Sequence, residues 1–358
     1  MSTMITKDKL ETPILLIDLD ILEMNINKMS EFFKGKNAKL RPHFKTFKCP
    51  TIAHKLVNSG AKGISCAKLS EAEVLVNSGI KDVLIANQIV EDSKIYRLAG
   101  LAHGDSKITV AVDNEDNISR LSKATQAIGS TIYVLVEVDV GMQRCGVTSK
   151  QEVLKLVKKI KQSPGLVFEG IQAYEGHLVH IADYKKRLEE MEKIINKINE
   201  IKQYLEKHGF NISEISGGGT GTYDITGNNT IWTEIQTGSY IFMDTDYNRL
   251  GLPFKNSLTI LTTVIHKRPG FAITDAGLKV CSSDGGRSIV KNLPHLELIL
   301  NEEHGIIIDK KDELKYLQKI EYIPSHCCST VNLHDEYYCI RNNILESIWP
   351  ISARGKSR

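Results

Sequence analysis

No apolar run in this chain approaches the ~20 residues that a membrane-spanning helix needs, so a transmembrane segment is not expected. Met1 to Lys9 lack the apolar centre of a secretory signal. A net charge of +3 over 358 residues is too small to imply nucleic acid. Lys155, Lys158, Lys159 and Lys161 alternate with Val and Leu at helical spacing and read as a solvated face. No internal repeat or low-complexity linker breaks the chain. Seven cysteines, an odd number scattered over the whole length, argue for a reduced protein and against a disulfide framework. The expectation is therefore a cytoplasmic protein with neither nucleic acid nor membrane as a partner.

The chain is 41% hydrophobic and 25% charged, as in an ordinary globular protein. It is long for one domain and suits two. Eight strand-like runs alternate with amphipathic helical patterns: 38–44, 63–67, 82–87, 107–113, 131–139, 166–176, 214–221 and 234–244. Such alternation implies a parallel sheet, and eight units over about 210 residues fit a (β/α)₈ barrel. Beyond Asp244 the pattern changes to short strands, 258–266, 271–275, 296–300, 305–308 and 336–340, separated by turn signals such as Arg268-Pro269-Gly270. The predicted fold is α/β: an N-terminal strand and helix in 1–30, a barrel in 31–250, and a mostly antiparallel β domain in 251–358.

Lys45 lies in Arg41-Pro42-His43-Phe44-Lys45-Thr46-Phe47-Lys48, where the first barrel run ends. A lysine there points into the barrel mouth. Arg41, His43 and Lys48 nearby favour a neutral amine able to attack an aldehyde, as a pyridoxal phosphate lysine must. The other reading is a solvated basic strand end.

After the seventh run, Ser216 to Thr222 hold Gly218, Gly219, Thr220 and Gly221, a loop whose amides suit a phosphate. Gly238, Ser239 and Tyr240 near the eighth run are placed to close its other side. The sixth run ends in Tyr174, with His177 and His180 behind it. Tyr174 suits stacking on a ring or a polar contact to it, and the histidines suit acid–base work. Arg144 follows the fifth run and suits either a carboxylate ligand or an ion pair with Asp139 or another acid at the barrel mouth. His326 and Cys328, two apart on an expected extended segment, face one way and suit zinc better than magnesium. Cys327 is expected to point away.

The stretch from Leu40 to Lys48 resembles the lysine motif of the D-threonine aldolase and D-serine dehydratase family, which are fold-type III pyridoxal phosphate enzymes with an alanine-racemase-like fold. The resemblance runs from Thr12-Pro13 to Arg354-Gly355, but Phe47 stands where the family usually has a second histidine. It implies pyridoxal 5′-phosphate held by Lys45, with Arg144 and Tyr174 beside it and the glycine loop on its phosphate. It implies a divalent metal on His326 and Cys328, zinc first, with manganese or magnesium as alternatives, carried by the β domain. His334 and Asp335 are expected behind the ligands or in a purely structural role. Asp275, Asp284 and Glu303 match family motifs and read first as turn and interface residues, and second as site residues. The resemblance also implies a homodimer and a small D-amino acid substrate.

His180 matches the base that takes the β-hydroxyl proton in the aldolase branch, so the expected activity is D-threonine aldolase. Cys328 looks more like the dehydratase branch, because the best-known aldolases have an aspartate there. A D-serine or D-threonine dehydratase is therefore the alternative. An amino-acid racemase and a non-catalytic pyridoxal phosphate carrier are lesser ones.

Overall fold

The computed structural model describes residues 4–358, and the chain divides into two compact units. One contains residues 30–45, 52–238 and 356–358; the other contains the N-terminal residues to Met29, 46–51 and 239–355. No helix among the described residues is long and apolar enough to cross a membrane.

The N-terminal strand β1 (Ile14–Asp18) belongs to the second unit, and the eight barrel strands follow it in sequence. These are β2 (Lys39–Leu40), β3 (Ile64–Cys66), β4 (Asp82–Ile85), β5 (Lys107–Val112), β6 (Ile132–Glu137), β7 (Leu166–Ala173), β8 (Glu214–Gly217) and β9 (Glu234–Ile235). They pair in parallel in the order β2-β9-β8-β7-β6-β5-β4-β3. An isolated parallel bridge between His43 and Ser65 links the two ends of this curled sheet. The strands read as apolar runs because both faces are covered: five of the six residues of β6 are buried.

The helices between them are cut by caps. Helix Lys150–Lys161 begins at Ser149, whose hydroxyl accepts the Glu152 amide (3.2 Å) while Glu152 accepts the Ser149 amide (2.9 Å). It buries Val153, Leu154, Leu156, Val157 and Ile160, and its lysines line the other face. Helix Tyr184–Lys207 begins at Asp183, and helix Glu115–Ile128 ends at Gly129 in the left-handed region (φ 76°).

The sheet also encloses charge. Arg41, on the chain just after β2, is buried with Glu234 (2.8 Å) and Asp82 (2.8 Å), and Lys62 bonds Glu214 and Glu234. Burial opposes the charge on Arg41, but the two carboxylates outweigh it.

The second unit is built on a nine-stranded sheet. Its later strands are β10 (Leu258–Arg268), β11 (Gly270–Thr274), β12 (Ile289–Val290), β13 (Glu297–Leu300), β14 (Gly305–Asp309), β15 (Lys319–Ile323), β16 (Glu336–Arg341) and β17 (Ile344–Pro350). β1 lies between β10, antiparallel, and β16, parallel. Leu10, Leu16, Leu261 and Ile340 pack together across that junction. Three of these strands, β12, β15 and β17, escape the sequence reading.

Candidate active site

Lys45 lies on a 3₁₀ turn (Phe44–Thr46) a few residues past the end of β2, and its amide N–H donates to His43 Nδ1 (3.3 Å). Its exposed side chain lines a cavity of about 210 Å³, whose polar walls are His43, Asn87, Arg144, Cys145, Gln172, Tyr174 and Gln236. Lys45 Nζ stands 5.9 Å from the centre of the Tyr174 ring. Of the cationic neighbours expected around Lys45, Arg41 is taken by Glu234 and Asp82 instead.

Arg144 is exposed on the cavity wall, and no carboxylate among the described residues lies within ion-pair distance of it. Asp139, one expected partner, accepts the amides of Gly141 (2.8 Å) and Gln143 (3.2 Å). Gln236 Nε2 donates to Gln172 Oε1 (3.2 Å) and to Ser216 Oγ (2.8 Å), which fixes two amide side chains at the strand ends. Burial pushes up the pKa of Glu137, to which Gln88 donates (2.5 Å).

The glycine loop lies outside this cavity wall and is braced from within. Glu175, fully buried, accepts the Gly218 amide (3.0 Å) and the Thr222 hydroxyl (2.8 Å), and Thr222 Oγ1 accepts the Gly219 amide (3.1 Å). Two of the amides expected to face a phosphate are therefore engaged inside the protein. Thr220 and Gly221 complete the turn; a Cβ at Gly221 would come within 2.7 Å of the Val179 carbonyl carbon, so only glycine allows that approach. Gly238 follows Thr237, whose buried hydroxyl has no hydrogen-bond partner among the described residues. That open hydroxyl, the lysine cavity and the guanidinium of Arg144 on its wall are features that a phosphorylated aldehyde cofactor would satisfy.

His180 is exposed on the turn after β7, and it does not line the Lys45 cavity. His177, nearby, packs against Gly141.

In the second unit, Ser239–Ile241 form a 3₁₀ turn. Tyr240 is fully buried, with its ring 5.5 Å from that of Phe254, and burial raises its pKa. Ser239 Oγ lies 3.9 Å from Cys328 Sγ.

His326 and Cys328 meet, but not along an extended segment. His326 caps the short helix Cys327–Val331, and Cys328 lies within it. A hydrogen bond from the His326 ring to the Cys328 sulfur, with Asp284 adding to it against the opposing effect of burial, pushes the His326 pKa up to about 10. His326 Nδ1 is 2.9 Å from Asp284 Oδ2. Cys328 Sγ donates to Thr46 Oγ1 (3.3 Å). Cys327 is buried, and its amide donates to Asp244 Oδ2 (2.9 Å).

Among the described residues no group of three or more His, Cys, Asp or Glu converges as a metal cage. An imidazole and a thiol side by side nevertheless form a donor pair suited to a borderline cation, leaving positions open. His334 bonds the Val280 carbonyl (2.7 Å), Asp275 accepts three bonds from Thr12, Thr262 and Thr263, and Glu303 pairs with Lys279: all three act within the fold. Asp284, read first as a turn or interface residue and second as a site residue, holds His326, and Glu175 had no assigned role. Gln172, near the end of β7, and Asn87 and Gln236, just past the ends of their strands, lie where a barrel places its sites.

The alanine racemase N-terminal domain model matches residues 17–246, and a serine dehydratase domain model matches 257–340. The chain belongs to the D-threonine aldolase and D-serine dehydratase family. It is 40% identical to a 3-hydroxy-D-aspartate aldolase from Paracoccus denitrificans, over 98% of this chain and 94% of the relative. It is 39% identical to an Arthrobacter D-threonine aldolase, with the same coverage. The crystal structure of D-threonine aldolase from Filomicrobium marinum superposes with a TM-score of 0.96 at 35% identity, covering 99% of both chains. Family members named as dehydratases match at lower identity, 23–26%. The chain is thus an alanine-racemase-like enzyme of the lyase class.

Proposed function

We propose that this lyase is a pyridoxal phosphate- and metal-dependent aldolase that cleaves a D-β-hydroxy amino acid to glycine and an aldehyde. The observation that carries the reading is the shared cavity of Lys45, Arg144 and Tyr174 at the ends of parallel strands. The greater identity to aldolases than to dehydratases supports it.

Lys45 Nζ would hold the cofactor's aldehyde carbon, and Tyr174 would flank its ring. Gly219, Thr220, Gly221, Gly238 and the Thr237 hydroxyl are the candidates for its phosphate. Bound there, the cofactor supplies an electron sink for the bond cleaved at Cα. Arg144, on the wall of the Lys45 cavity, would receive the substrate carboxylate. His326 and Cys328 would hold a divalent ion, zinc first, which supplies Lewis acidity to the β-hydroxyl. His180 would take the β-hydroxyl proton as the Cα–Cβ bond breaks, and the proton returned to Cα completes glycine.

A dehydratase is the second reading, favoured by the thiol at Cys328. There, Lys45 would remove the α-proton, and loss of the hydroxyl would lead to a 2-oxo acid and ammonia.

The test is a product assay with D-threonine and D-3-hydroxyaspartate, in the presence of pyridoxal phosphate and zinc, manganese or magnesium. Glycine with acetaldehyde or glyoxylate establishes the aldolase. 2-Oxobutyrate or oxaloacetate with ammonia establishes the dehydratase. Turnover that survives exhaustive chelation removes the metal from either scheme.

A further inference from the structure

The turn Ser282-Ser283-Asp284-Gly285-Gly286 is stitched to the segment that carries His326 and Cys328. Asp284 Oδ2 lies 2.9 Å from His326 Nδ1 and accepts the Ser329 hydroxyl at 2.6 Å. Its other oxygen accepts the Ser282 hydroxyl at 2.6 Å. The two backbones are tied as well: Ser325 Oγ donates to the Ser282 carbonyl (2.9 Å), and the Ser282 amide donates to Thr330 Oγ1 (3.2 Å).

The contact is also sterically tight. A Cβ on Gly285 would stand 2.8 Å from the Ser325 carbonyl oxygen and 2.9 Å from His326 Cβ, so the turn approaches His326 as closely as only glycine permits. The carboxylate of Asp284 is thereby held in one place, with both oxygens engaged.

An imidazole has two nitrogens, and the partner of one decides which lone pair the other presents. A carboxylate at Nδ1 keeps the proton there and leaves Nε2 as the acceptor nitrogen. We propose that Asp284 is the positioning residue of the metal pair: it fixes the Nδ1–H tautomer and the ring orientation of His326, so that Nε2 is the ligating nitrogen alongside the Cys328 thiolate. This rests on the metal reading above. Asp284 does not itself bind the ion, and its role is distinct from that of His334, which bonds a backbone carbonyl.

The experiment uses the pyridoxal phosphate-loaded protein with cobalt(II) as the probe. Cobalt affinity is measured by calorimetry, and the proton spectrum of the cobalt form is recorded in H₂O and D₂O. Wild type should bind cobalt and show one far-shifted, exchangeable imidazole N–H resonance, which marks a histidine bound through Nε2 with its Nδ1–H sheltered. Asp284→Ala should weaken cobalt binding about 10–100-fold and abolish that resonance by rapid exchange. Asp284→Asn keeps an acceptor oxygen for Nδ1–H and should fall between the two, which also serves if the alanine variant fails to fold. Pyridoxal phosphate saturation, read from its absorbance, should match wild type in both variants.

If wild type binds no cobalt, or His326→Ala binds it equally well, the metal reading itself fails. If wild type binds and His326→Ala does not, but both Asp284 variants retain affinity and the N–H signal, the proposal is overturned while the metal reading stands. Equal losses of cobalt affinity and cofactor saturation would also overturn it, since that is what a general structural role produces.

Discussion

Glu175 and Gly218 are joined by a hydrogen bond that draws the glycine loop onto a buried carboxylate: the Gly218 amide donates to Glu175 Oε2 at 3.0 Å, and no part of Glu175 reaches solvent. The Thr222 hydroxyl takes the other oxygen. The shape of the loop is thus set by the protein before any phosphate arrives.

Removing that carboxylate should be costly. Glu175→Ala leaves the Gly218 amide and the Thr222 hydroxyl without their acceptor, at about 1–3 kcal/mol for each group. Urea unfolding should show a loss of that order, together with weaker pyridoxal phosphate binding. Burial pushes the Glu175 carboxyl above its ordinary value of 4.5, with its three hydrogen bonds opposing. The folded state therefore holds this proton more tightly than the unfolded state. Its contribution to stability falls as pH rises from the ordinary carboxyl range through the folded value. Glu175→Gln should remove that part of the pH dependence.

Lys45 carries the cofactor assignment. Borohydride reduction of the loaded protein, followed by peptide mass spectrometry, should place the cofactor on Lys45 alone. Lys45→Ala should lose the visible absorbance band and essentially all turnover, at least about 10³-fold. Label on Lys48 or another lysine would refute the assignment.

The barrel was legible because its longer parallel strands, such as β5 and β6, are buried on both faces, so their apolar runs stand out from the helices around them. The second unit was less so. Strand β15, Lys319-Ile320-Glu321-Tyr322-Ile323, interleaves charge with apolar residues, and β17 is half-exposed and ends in a proline. Lys45, Arg144 and Tyr174 could be grouped from sequence because a barrel gathers its strand ends, and they do line one cavity. The partners that orient groups could not. Asp284 is 42 residues from His326, Glu234 is 193 from Arg41, and no spacing rule spans such distances. His326 and Cys328 were found by a rule for extended chain, yet they meet at a helix start, where the turn of the backbone brings the two side chains together.

His180 decides between the two lyase readings. His180→Ala should lower retro-aldol cleavage by about 10²–10⁴-fold, the usual contribution of a positioned base. Cofactor absorbance should be unchanged, because His180 does not line the Lys45 cavity. Unchanged cleavage would remove His180 from the mechanism.

Glu321 offers a test of the second unit away from the chemistry. Burial alone would raise its carboxyl, but Lys291 (2.7 Å) and Lys7 more than offset that and hold it at about 2. Its ordinary value is 4.5, so the folded form gains on deprotonation. At about 1.4 kcal/mol per pH unit, the difference is about 3 kcal/mol. The sign is that of a depressed carboxyl: the stabilisation is complete above pH 4.5 and fades as pH falls toward 2. Thermal melts of wild type and Glu321→Gln across pH 3–8 should therefore differ most at neutral pH and converge in acid. Lys291→Met should reproduce part of the neutral-pH loss, because Lys7 still pairs with the same carboxylate. A gap between wild type and Glu321→Gln that stays constant over the whole range would show that Glu321 stabilises the sheet by packing rather than by charge.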